Sequence, residues 1–327
     1  MNKIKLGIYG YGNIAKGAEK AILKNTDFSL EAVFTRRDPA GLAVATPGAA
    51  VVHVNRVLEY KDKIDVMLLC GGSATDLPVQ GPELARFFNT VDTFDTHAKI
   101  PAYLQAVDSA AKQNQKTAVI STGWDPGLFS MLRAVFSASL PEGKDYTFWG
   151  PGVSQGHSDA IRRVEGVANA IQYTVPVENV LAEVRNGSHT DYTTRQKHKR
   201  ECYVVAKDGA DRARIEKTIK EMPNYFADYD TTVHFITEDE LKRNHGKMAH
   251  GGFVFRNGKT SEGENHVLEL SIKLSSNPEF TASVMVAFAR AAFKLAQEGS
   301  FGAKTVLDIP LAYLSPKGRE ELIKELL

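Results

Sequence analysis

The chain of 327 residues has a formal net charge of +1 at pH 7, with 43% hydrophobic and 24% charged residues. Such a balanced composition is typical of a globular protein and gives no electrostatic reason to expect nucleic acid or an anionic membrane as a partner. The longest apolar run, residues 66–70, is far shorter than the roughly 20 residues that cross a bilayer. Because the two cysteines form no disulfide framework and the first residues lack the layout of a signal peptide, we expect a cytoplasmic protein.

Short apolar stretches recur along the first 140 residues, and each has the composition of a buried parallel strand. They read KLGIYG, SLEAVF, AVVHV, DVMLLC, TVDTF and TAVIST. Helical patterns separate them, as in IAKGAEKAILKN, where Ile14, Ala18 and Ile22 share one face. This alternation predicts an α/β fold with a Rossmann-type, doubly wound parallel sheet.

The middle third of the chain has longer, alternating stretches, which predict a sheet with one covered and one open face. They read NAIQYTVPV, HKRECYVVA, TTVHFIT, GGFVF and NHVLELSIKL, and a helical stretch that begins near Pro278 follows them. We therefore expect a first domain over residues 1–122, completed by residues 278–327. A second, α+β domain with an open mixed or antiparallel sheet is expected over residues 123–277.

A glycine pattern, Gly10-x-Gly12-x-x-Ala15, follows the first predicted strand and opens the first predicted helix. Glycines there let the backbone approach a pyrophosphate, and a helix N-terminus offers N–H groups and partial positive charge to an anion. In this context the pattern predicts a dinucleotide-binding turn. The alternative is an ordinary glycine-rich turn between a strand and a helix.

The end of the second predicted strand indicates which dinucleotide is bound. An NAD-binding sheet usually has an acidic residue there for the ribose 2′-hydroxyl, but this strand ends in Thr35-Arg36-Arg37, and Glu31 lies too early. Guanidinium groups suit a 2′-phosphate, because they carry permanent charge and paired donors. The sequence therefore favours NADP as cofactor, with an exposed basic turn as the alternative.

Three further strand ends carry polar residues, two of them with glycines, and ligands of such sheets bind beyond the carboxyl ends of the strands. These ends are Cys70-Gly71-Gly72-Ser73, Thr93-Phe94-Asp95 and Thr122-Gly123-Trp124-Asp125-Pro126. We expect Asp95 and Asp125 to meet at one rim. Each aspartate has an alternative as a helix N-cap, and Asp125 before Pro126 fits that pattern well.

Other patterns indicate less. Nine histidines are scattered without HExxH or CxxC spacing, so we expect no metal site. The basic run RQKHKR, residues 195–200, is typical of an exposed strand edge. The stretch TFWGPGVSQGHSDAIRRVEG, residues 147–166, fits no simple helix or strand, and we interpret it as a long working loop.

Together these motifs resemble one family, the NADP-dependent meso-diaminopimelate D-dehydrogenases. The resemblance covers nearly the whole chain and includes GYGN, TRR, CGGSATD, VDTFDTH, STGWDPG, FWGPGVSQGHSDA, HKRECYVVA, MAHGG and NPEF. It implies reversible oxidative deamination at the D-centre of meso-2,6-diaminopimelate in lysine and cell-wall precursor synthesis. The implied products are L-2-amino-6-oxopimelate, which cyclises to tetrahydrodipicolinate, together with ammonia and NADPH.

The resemblance also implies the residues that bind the cofactor. It implies that the pyrophosphate turn is lined by Tyr11, Gly12, Asn13 and Ile14, and that the 2′-phosphate is held by Thr35, Arg36 and Arg37. The three further strand ends are expected to flank the ribose and the nicotinamide.

The resemblance implies the residues that bind the substrate as well. Positions that match the family's pocket are Trp149, Gln155, Gly156, Thr174, Arg200, His250 and Asn277. A substrate with an ammonium and a carboxylate at both ends needs two polar sites, and Arg200 suits the carboxylate of the distal L-end. Asp95 and Asp125 suit the reacting ammonium, and one of them, or a bound water, is the expected proton acceptor.

The sequence leaves two other functional interpretations open. One is a non-catalytic NADP-binding sensor, which needs the Thr35-Arg36-Arg37 turn but not the paired aspartates. The other is a dehydrogenase of another D-amino acid or of another acid in lysine metabolism, because fold analogy alone does not fix a substrate. The resemblance further implies a homodimer whose interface lies in the middle domain.

Overall fold

The computed structural model describes residues 3–327. The chain forms two compact units, which we call the first and the second unit. The first unit comprises Met1–Met131 and Pro278–Leu327, and the second comprises Leu132–Asn277. Within the described residues, none of the helices is both long and apolar enough to cross a lipid bilayer.

Strands and helices alternate along the first unit. In chain order they are β1 Ile4–Tyr9, α1 Asn13–Lys24, β2 Phe28–Thr35, β3 Ala50–His53, β4 Val66–Leu69, α2 Leu77–Leu84, β5 Asn89–Asp92, α3 Ile100–Gln113 and β6 Thr117–Val119. The next helix, α4 Leu128–Ser139, begins in the first unit and ends in the second. Short 3₁₀ helices lie at Pro39–Gly41, Val54–Tyr60 and His97–Lys99. Each predicted apolar stretch of this part overlaps one of these strands.

The second unit contains two small sheets with helices between their strands. Its elements are β7 Gly143–Trp149, β8 Gly152–Val153, α5 Gln155–Arg162, β9 Val167–Pro176, α6 Glu178–Arg185, α7 Thr194–Lys197, β10 His198–Ala206, α8 Arg212–Lys220, β11 Asp230–Phe235, α9 Glu238–His245, β12 His250–Ser261 and β13 Glu264–Leu274. The chain then returns to the first unit through α10 Asn277–Gln297, β14 Gly302–Lys304 and α11 Arg319–Leu326, with 3₁₀ helices at Val306–Asp308 and Leu311–Leu314.

The first unit is built on a seven-stranded sheet in the order β14-β6-β5-β4-β1-β2-β3. All its strand pairs are parallel, which confirms the predicted doubly wound sheet. Both faces are covered: one hydrophobic cluster includes residues of α1 and α10, and another includes residues of α2 and α3. Every residue of β4 is buried, as expected for a central strand between two helical layers.

Helix α10 packs closely against α1 and is fastened by a buried arginine. A Cβ added to Gly17 of α1 would lie 2.9 Å from the Cα of Glu279, so the small residue permits this approach. Arg290 is 3% exposed and donates from Nε to Asp27 Oδ2 at 2.6 Å. A buried guanidinium that keeps its carboxylate partner avoids most of the cost of desolvation.

The second unit confirms the predicted open sheets. Its four-stranded sheet has the order β11-β10-β9-β8 and is mixed, because β10 is parallel to β11 and antiparallel to β9. One face of β9 and β10 packs on α5 and α8, while Tyr173 and Tyr203 on the other face are half-exposed. A three-stranded antiparallel sheet, β13-β12-β7, packs its aromatic residues on α6.

Residues 147–166 correct one interpretation of the sequence. They are not one long loop: they contain the end of β7, the short strand β8 and the helix α5. Glycines at both strand ends interrupt the apolar pattern, and the buried face of α5 includes the small polar residue Ser158. Periodicity is therefore weak here, although the backbone is regular.

Candidate active site

Loops after β1, β2, β4, β5 and β6 share one edge of the first unit's sheet, because these strands run parallel. β1 lies between β2 and β4, so the order of the strands reverses at this point. Open α/β sheets bind their ligands at such a switch point, beyond the carboxyl ends of the strands. The predicted cofactor residues of the first unit lie on these loops, at the start of α1 or, for Thr35, at the end of β2.

The glycine turn after β1 has the form that an anion requires. Gly10 has a φ of +87°, a conformation that glycine adopts without strain. Gly12 is the N-cap of α1, and a Cβ added there would meet nothing within 4 Å. Asn13 and Ile14 form the first turn of α1, which contains no acidic residue. Open space and a helix N-terminus therefore coincide, which suits a pyrophosphate.

Arg36 and Arg37 are both exposed and lie beside this turn. Arg37 donates from Nη2 to the carbonyl of Tyr11 at 2.8 Å, and its N–H donates to Thr35 Oγ1 at 3.1 Å. Arg36 Nη1 lies 3.1 Å from Asp76 Oδ1. Asp76 was not among the predicted residues, and a phosphate at Arg36 would share or replace this partner.

The loop after β4 connects the glycine turn with the predicted catalytic region. A Cβ added to Gly71 would lie 2.8 Å from Asp76 Cβ, so a larger residue here would require Asp76 to shift. The N–H of Gly72 donates to Asp76 Oδ2 at 2.9 Å. The hydroxyl of Ser73 accepts the N–H of Asp95 at 2.8 Å, so this loop holds the backbone of one predicted catalytic residue.

Asp95 is exposed and Asp125 is half-buried on the loops after β5 and β6. Neither is a helix N-cap: Thr96 holds that position for the 3₁₀ helix His97–Lys99, and α4 begins only at Leu128. Trp124 is 7% exposed and packs edge-on against Phe129, with ring centroids 5.2 Å apart. The two carboxylates therefore lie outside the N-cap positions of these helices, on neighbouring loops of the ligand-binding edge.

Asp92, the last residue of β5, is a residue of this edge that sequence reasoning missed. It is 1% exposed, and burial raises the pKa of its carboxyl group. Its oxygens accept the N–H of Phe94, the N–H of Ser121 and the hydroxyl of Tyr103 at 2.9, 3.0 and 2.7 Å. A buried strand residue within VDTF resembles core packing in the sequence, and only the fold shows that it joins two loops.

The second unit places Arg200 opposite Thr174 across the β10–β9 pair. Arg200 is 5% exposed, donates from Nη1 to Thr174 Oγ1, and stacks over the ring of Tyr229 at 3.8 Å. Its Nε is buried without a hydrogen-bond partner, and no carboxylate pairs with Arg200 among residues 3–327. A buried cation in this state is suited to an anionic ligand.

The two histidines near Arg200, His157 and His198, are uncharged at neutral pH, because their pKa values are lowered. Burial, assisted by the charge of Arg200, lowers the pKa of His157 to about 4. Burial, with Lys197 and Arg200, lowers the pKa of His198 to about 3. Both rings are therefore neutral at pH 7. The buried amide of Gln172, on the same face of the sheet, also has no hydrogen-bond partner for either atom.

Asn277 and Gln155 both contact Met248 in the second unit, two residues before His250 in the chain. The N–H of Asn277 donates to the carbonyl of Met248 at 2.8 Å, and Gln155 Nε2 lies 2.9 Å from its sulfur. His250 begins β12 and is 9% exposed, and burial lowers the pKa of its ring. A Cβ added to Gly152 would lie 2.3 Å from His250 Cγ, so β8 packs directly on that ring.

Trp149 and Gly156 complete the predicted set. Trp149 is 37% exposed and stacks on His198 with ring centroids 5.4 Å apart, while its backbone N–H donates to His198 Nε2 at 2.9 Å. Gly156, near the start of α5, is exposed, and a Cβ there would meet nothing within 4 Å. The predicted substrate residues other than the aspartates thus belong to the second unit.

Comparison with known proteins gives consistent matches. Residues 123–276 match the family described as the diaminopimelic acid dehydrogenase C-terminal domain. The chain is 59% identical to the meso-diaminopimelate D-dehydrogenase of Ureibacillus thermosphaericus over 327 residues, which is 100% of both chains.

Two solved structures are similar over the full length of the chain. The DAP dehydrogenase of C. glutamicum, in complex with DAP, has a TM-score of 0.94 and 46% identity, and the match covers 100% of both chains. An engineered D-amino acid dehydrogenase bound to NADP⁺ has a TM-score of 0.89 and 44% identity, again with 100% of both chains covered. With such identity over its full length, the chain belongs to the meso-diaminopimelate D-dehydrogenase family.

Proposed function

We propose that the protein catalyses the reversible, NADP-dependent oxidative deamination of the D-centre of meso-2,6-diaminopimelate. The products are L-2-amino-6-oxopimelate, ammonia and NADPH. The proposal rests mainly on the state of Arg200. Its guanidinium is buried, its Nε has no hydrogen-bond partner, and no carboxylate of the described chain neutralises its charge. Membership of the family, and the position of Asp95 and Asp125 on neighbouring loops at the sheet edge, support the same reaction.

The first unit fits NADP. The open turn at Gly12 and the N-terminus of α1 suit the pyrophosphate, and Arg36 and Arg37 suit the 2′-phosphate. The strand ends Cys70–Ser73, Thr93–Asp95 and Thr122–Pro126 are proposed to flank the ribose and the nicotinamide. When bound, the nicotinamide supplies the oxidant that accepts a hydride from the substrate's D-α-carbon.

The second unit is proposed to bind the substrate's distal L-end. Arg200 pairs with the carboxylate, and Thr174, His250 and Asn277 complete its hydrogen bonds. Trp149 provides an apolar wall, and N–H donors near Gln155 and Gly156 take the carboxylate of the D-end. A buried charge left without its partner costs several kcal/mol, so a substrate bound in the wrong orientation is rejected.

Asp95 or Asp125 is proposed to take the proton from the reacting ammonium. The α-carbon cannot be oxidised to an iminium until the nitrogen has a free lone pair, so deprotonation comes first. Water then adds to the iminium carbon, and ammonia leaves. In either role the carboxylate must stand within hydrogen-bonding reach of the nitrogen.

The test is reduction of NADP⁺, followed at 340 nm in alkaline buffer, with meso-, LL- and DD-diaminopimelate and D-alanine, each repeated with NAD⁺. We expect turnover with the meso isomer and NADP⁺. Additional turnover of D-alanine would show that the substrate is not meso-diaminopimelate specifically but D-amino acids in general. Binding of NADP⁺ without any turnover would overturn the proposal in favour of a sensor.

We further propose a cytoplasmic homodimer that associates through the second unit. β13 forms the edge of its sheet, and none of the residues of this strand is buried in the single chain. Val267 is 38% exposed there, a position where a second copy would cover apolar surface. Both cysteines are free, which suits a reducing compartment. Light scattering after gel filtration tests the dimer, and cell fractionation tests the location.

A further inference from the structure

Asp92 joins the two loops that carry the proposed catalytic aspartates. It lies at the carboxyl end of β5, between β4 and β6, and is 1% exposed. Oδ1 accepts two backbone N–H groups, those of Phe94 and Ser121, at 2.9 and 3.0 Å. Oδ2 accepts the hydroxyl of Tyr103 on α3 at 2.7 Å. One side chain therefore bridges the loop after β5, the loop after β6 and the helix beneath them.

The first bridge fixes the backbone directly before Asp95. Phe94 is 1% exposed and stacks on Tyr103, with ring centroids 4.2 Å apart. The carboxylate thus binds the N–H of Phe94 and the hydroxyl of the ring on which Phe94 packs. Asp95 follows with its own N–H bound to Ser73 Oγ at 2.8 Å. These contacts leave the path of the chain at Asp95 little freedom.

The second bridge fixes the entry to the loop that contains Asp125. Ser121 has a φ of +57°, a left-handed conformation that a residue other than glycine keeps only when its surroundings impose it. Its N–H is bound by the Asp92 carboxylate, while the N–H and the hydroxyl of Thr122 both donate to the Asp92 carbonyl, at 2.9 and 2.7 Å. Asp92 thus holds Ser121 and Thr122 through both its side chain and its backbone.

We propose that Asp92 is a positioning residue of this reaction: it sets the separation and orientation of the loops that carry Asp95 and Asp125. This inference rests on the proposed function, because it assigns those two carboxylates to the reacting end of the substrate. Asp92 itself is fully occupied by protein donors and does not touch the ligand-binding surface. Its effect is therefore on the geometry of its neighbours.

The chain offers a matched control at the opposite edge of the same sheet. Asn89, the first residue of β5, also bridges to β6, since its Oδ1 accepts the N–H of Thr117 at 3.0 Å. Its Nδ2 donates to the carbonyl of Asp65 at 2.9 Å. Asn89→Ala removes a comparable link between the same strands, but far from the strand ends that bind ligands.

Asp92→Ala and Asp92→Ser both break the double bridge, because a serine hydroxyl is too short to reach both loops. Asp92→Asn is the rescue variant: its carbonyl keeps the two N–H donors, and its amide can donate to the oxygen of Tyr103. We expect kcat to fall roughly 100-fold for Ala and Ser, since displacement by about 1 Å has that effect. Asn should regain most of that loss, and Asn89→Ala should stay within about twofold of the parent enzyme.

A second readout follows the loop without substrate or cofactor. Trp124 lies on the loop after β6, and a Trp149→Phe background leaves it as the sole tryptophan of a chain that has two. We expect its near-ultraviolet circular dichroism to change in Asp92→Ala and Asp92→Ser and to persist in Asp92→Asn and Asn89→Ala. Thermal melting of each variant identifies any general loss of folding.

The outcomes separate this inference from the proposed function. An inactive parent enzyme overturns the proposed reaction, and the Trp124 signal of the variants still tests the bridge. With an active parent, a folded Asp92→Ala or Asp92→Ser that keeps kcat within about twofold overturns the positioning role. Failure of both variants to fold overturns it as well, because Asp92 would then be required for the fold rather than for the loops.

Discussion

The strand-end edge of the first unit and the Arg200 cluster of the second unit present charge in opposite ways. Arg36 and Arg37 are exposed cations beside an open glycine turn, and water solvates them before any ligand binds. Arg200 is 5% exposed, between a hydroxyl, an aromatic ring and neutral histidines. The first site attracts an anion at little cost to the fold, whereas the second keeps a desolvated charge until a ligand neutralises it.

The difference in exposure determines how strictly each site selects its ligand. An exposed cation contributes affinity that solvent and salt weaken, so it favours a phosphate without strictly excluding other anions. A buried cation rejects any ligand that leaves it unpaired, because the penalty of the bare charge is then not offset. Substitutions at the two sites should consequently differ in size, and those at the reacting centre should exceed both.

The largest effect is expected from the aspartates at the reacting end. Asp95→Asn or Asp125→Asn removes a proton acceptor, and positioned acid–base groups contribute roughly 10²–10⁴-fold to rate. We expect kcat to fall by that order for the residue that takes the proton, measured as initial rates at saturating substrate. Asp62→Asn, an exposed residue of the same unit, is the control. Near-normal kcat in both variants would remove the aspartates from the mechanism.

Arg200→Ala tests the buried cation. Loss of a buried charge partner costs about 2–5 kcal/mol, so kcat/KM for diaminopimelate should fall by between tens and thousands, mainly through KM. Stability should not fall in parallel, because the substitution removes a buried cation that no carboxylate of the described chain neutralises.

Arg195→Ala is the matched control for this substitution. Arg195 is exposed and pairs with Asp230 at 3.3 Å. Arg195→Ala should therefore leave KM and kcat/KM for diaminopimelate unchanged. An unchanged KM in Arg200→Ala would exclude Arg200 from the substrate site.

Arg37→Ala tests the exposed cations. A hydrogen bond to a charged group contributes about 1.5–3 kcal/mol, so KM for NADP⁺ should rise roughly 10- to 100-fold. KM for NAD⁺, which lacks the 2′-phosphate, should stay unchanged, and steady-state titration of both cofactors measures the difference. Arg56→Ala, at an exposed pair with Glu59, serves as control. Equal losses for the two cofactors would contradict recognition of the 2′-phosphate.

The two sites also differ in how far the sequence predicts them. The strand ends are accessible to prediction, because parallel strands place their carboxyl ends at one edge whatever the details of packing. Thr35-Arg36-Arg37 and Gly10-x-Gly12 can therefore be assigned to one edge from their positions in the chain. The predictions of a doubly wound parallel sheet and of an open mixed or antiparallel sheet are confirmed, whereas the seventh strand of the parallel sheet, β14, was not predicted.

Contacts that depend on register and tertiary packing were beyond the sequence. Nothing in the sequence shows that Tyr229 stacks on Arg200, or that Thr174 faces it across two strands. Asp92 and Asp76 were missed for the same reason, since a buried strand residue and a loop carboxylate have no periodicity that marks their partners. The roles of the individual site residues stay predictions.

The neutral histidines near Arg200 predict a pH dependence of stability in the second unit. Burial, and then the charge of Arg200, lowers the pKa of His157 to about 4, below the roughly 6.5 of an unfolded histidine. The folded state thus binds fewer protons, so this stabilisation is complete above pH 6.5 and is lost as the pH falls towards 4.

Between pH 7 and pH 5 the free energy of unfolding, measured in urea, should fall by about 2 kcal/mol more in the parent protein than in His157→Gln. The exposed His266→Gln is the control and should follow the parent. A parent and a His157→Gln variant with parallel pH profiles would show that His157 is protonated equally in the folded and unfolded states.

The smallest effect is expected at Asp76, where the first unit provides its own anion for an exposed cation. Asp76 Oδ1 lies 3.1 Å from Arg36 Nη1, and Arg36 is 71% exposed, so the pair contributes about 0–1 kcal/mol. Asp76→Asn keeps an acceptor for the N–H of Gly72 but no longer competes with a phosphate. NADP⁺ should therefore bind up to about fivefold more tightly, with the gain largest at low salt. Weaker binding would instead show that Asp76 orients Arg36 towards the phosphate, which would make this exposed site more preorganised than its solvent exposure indicates.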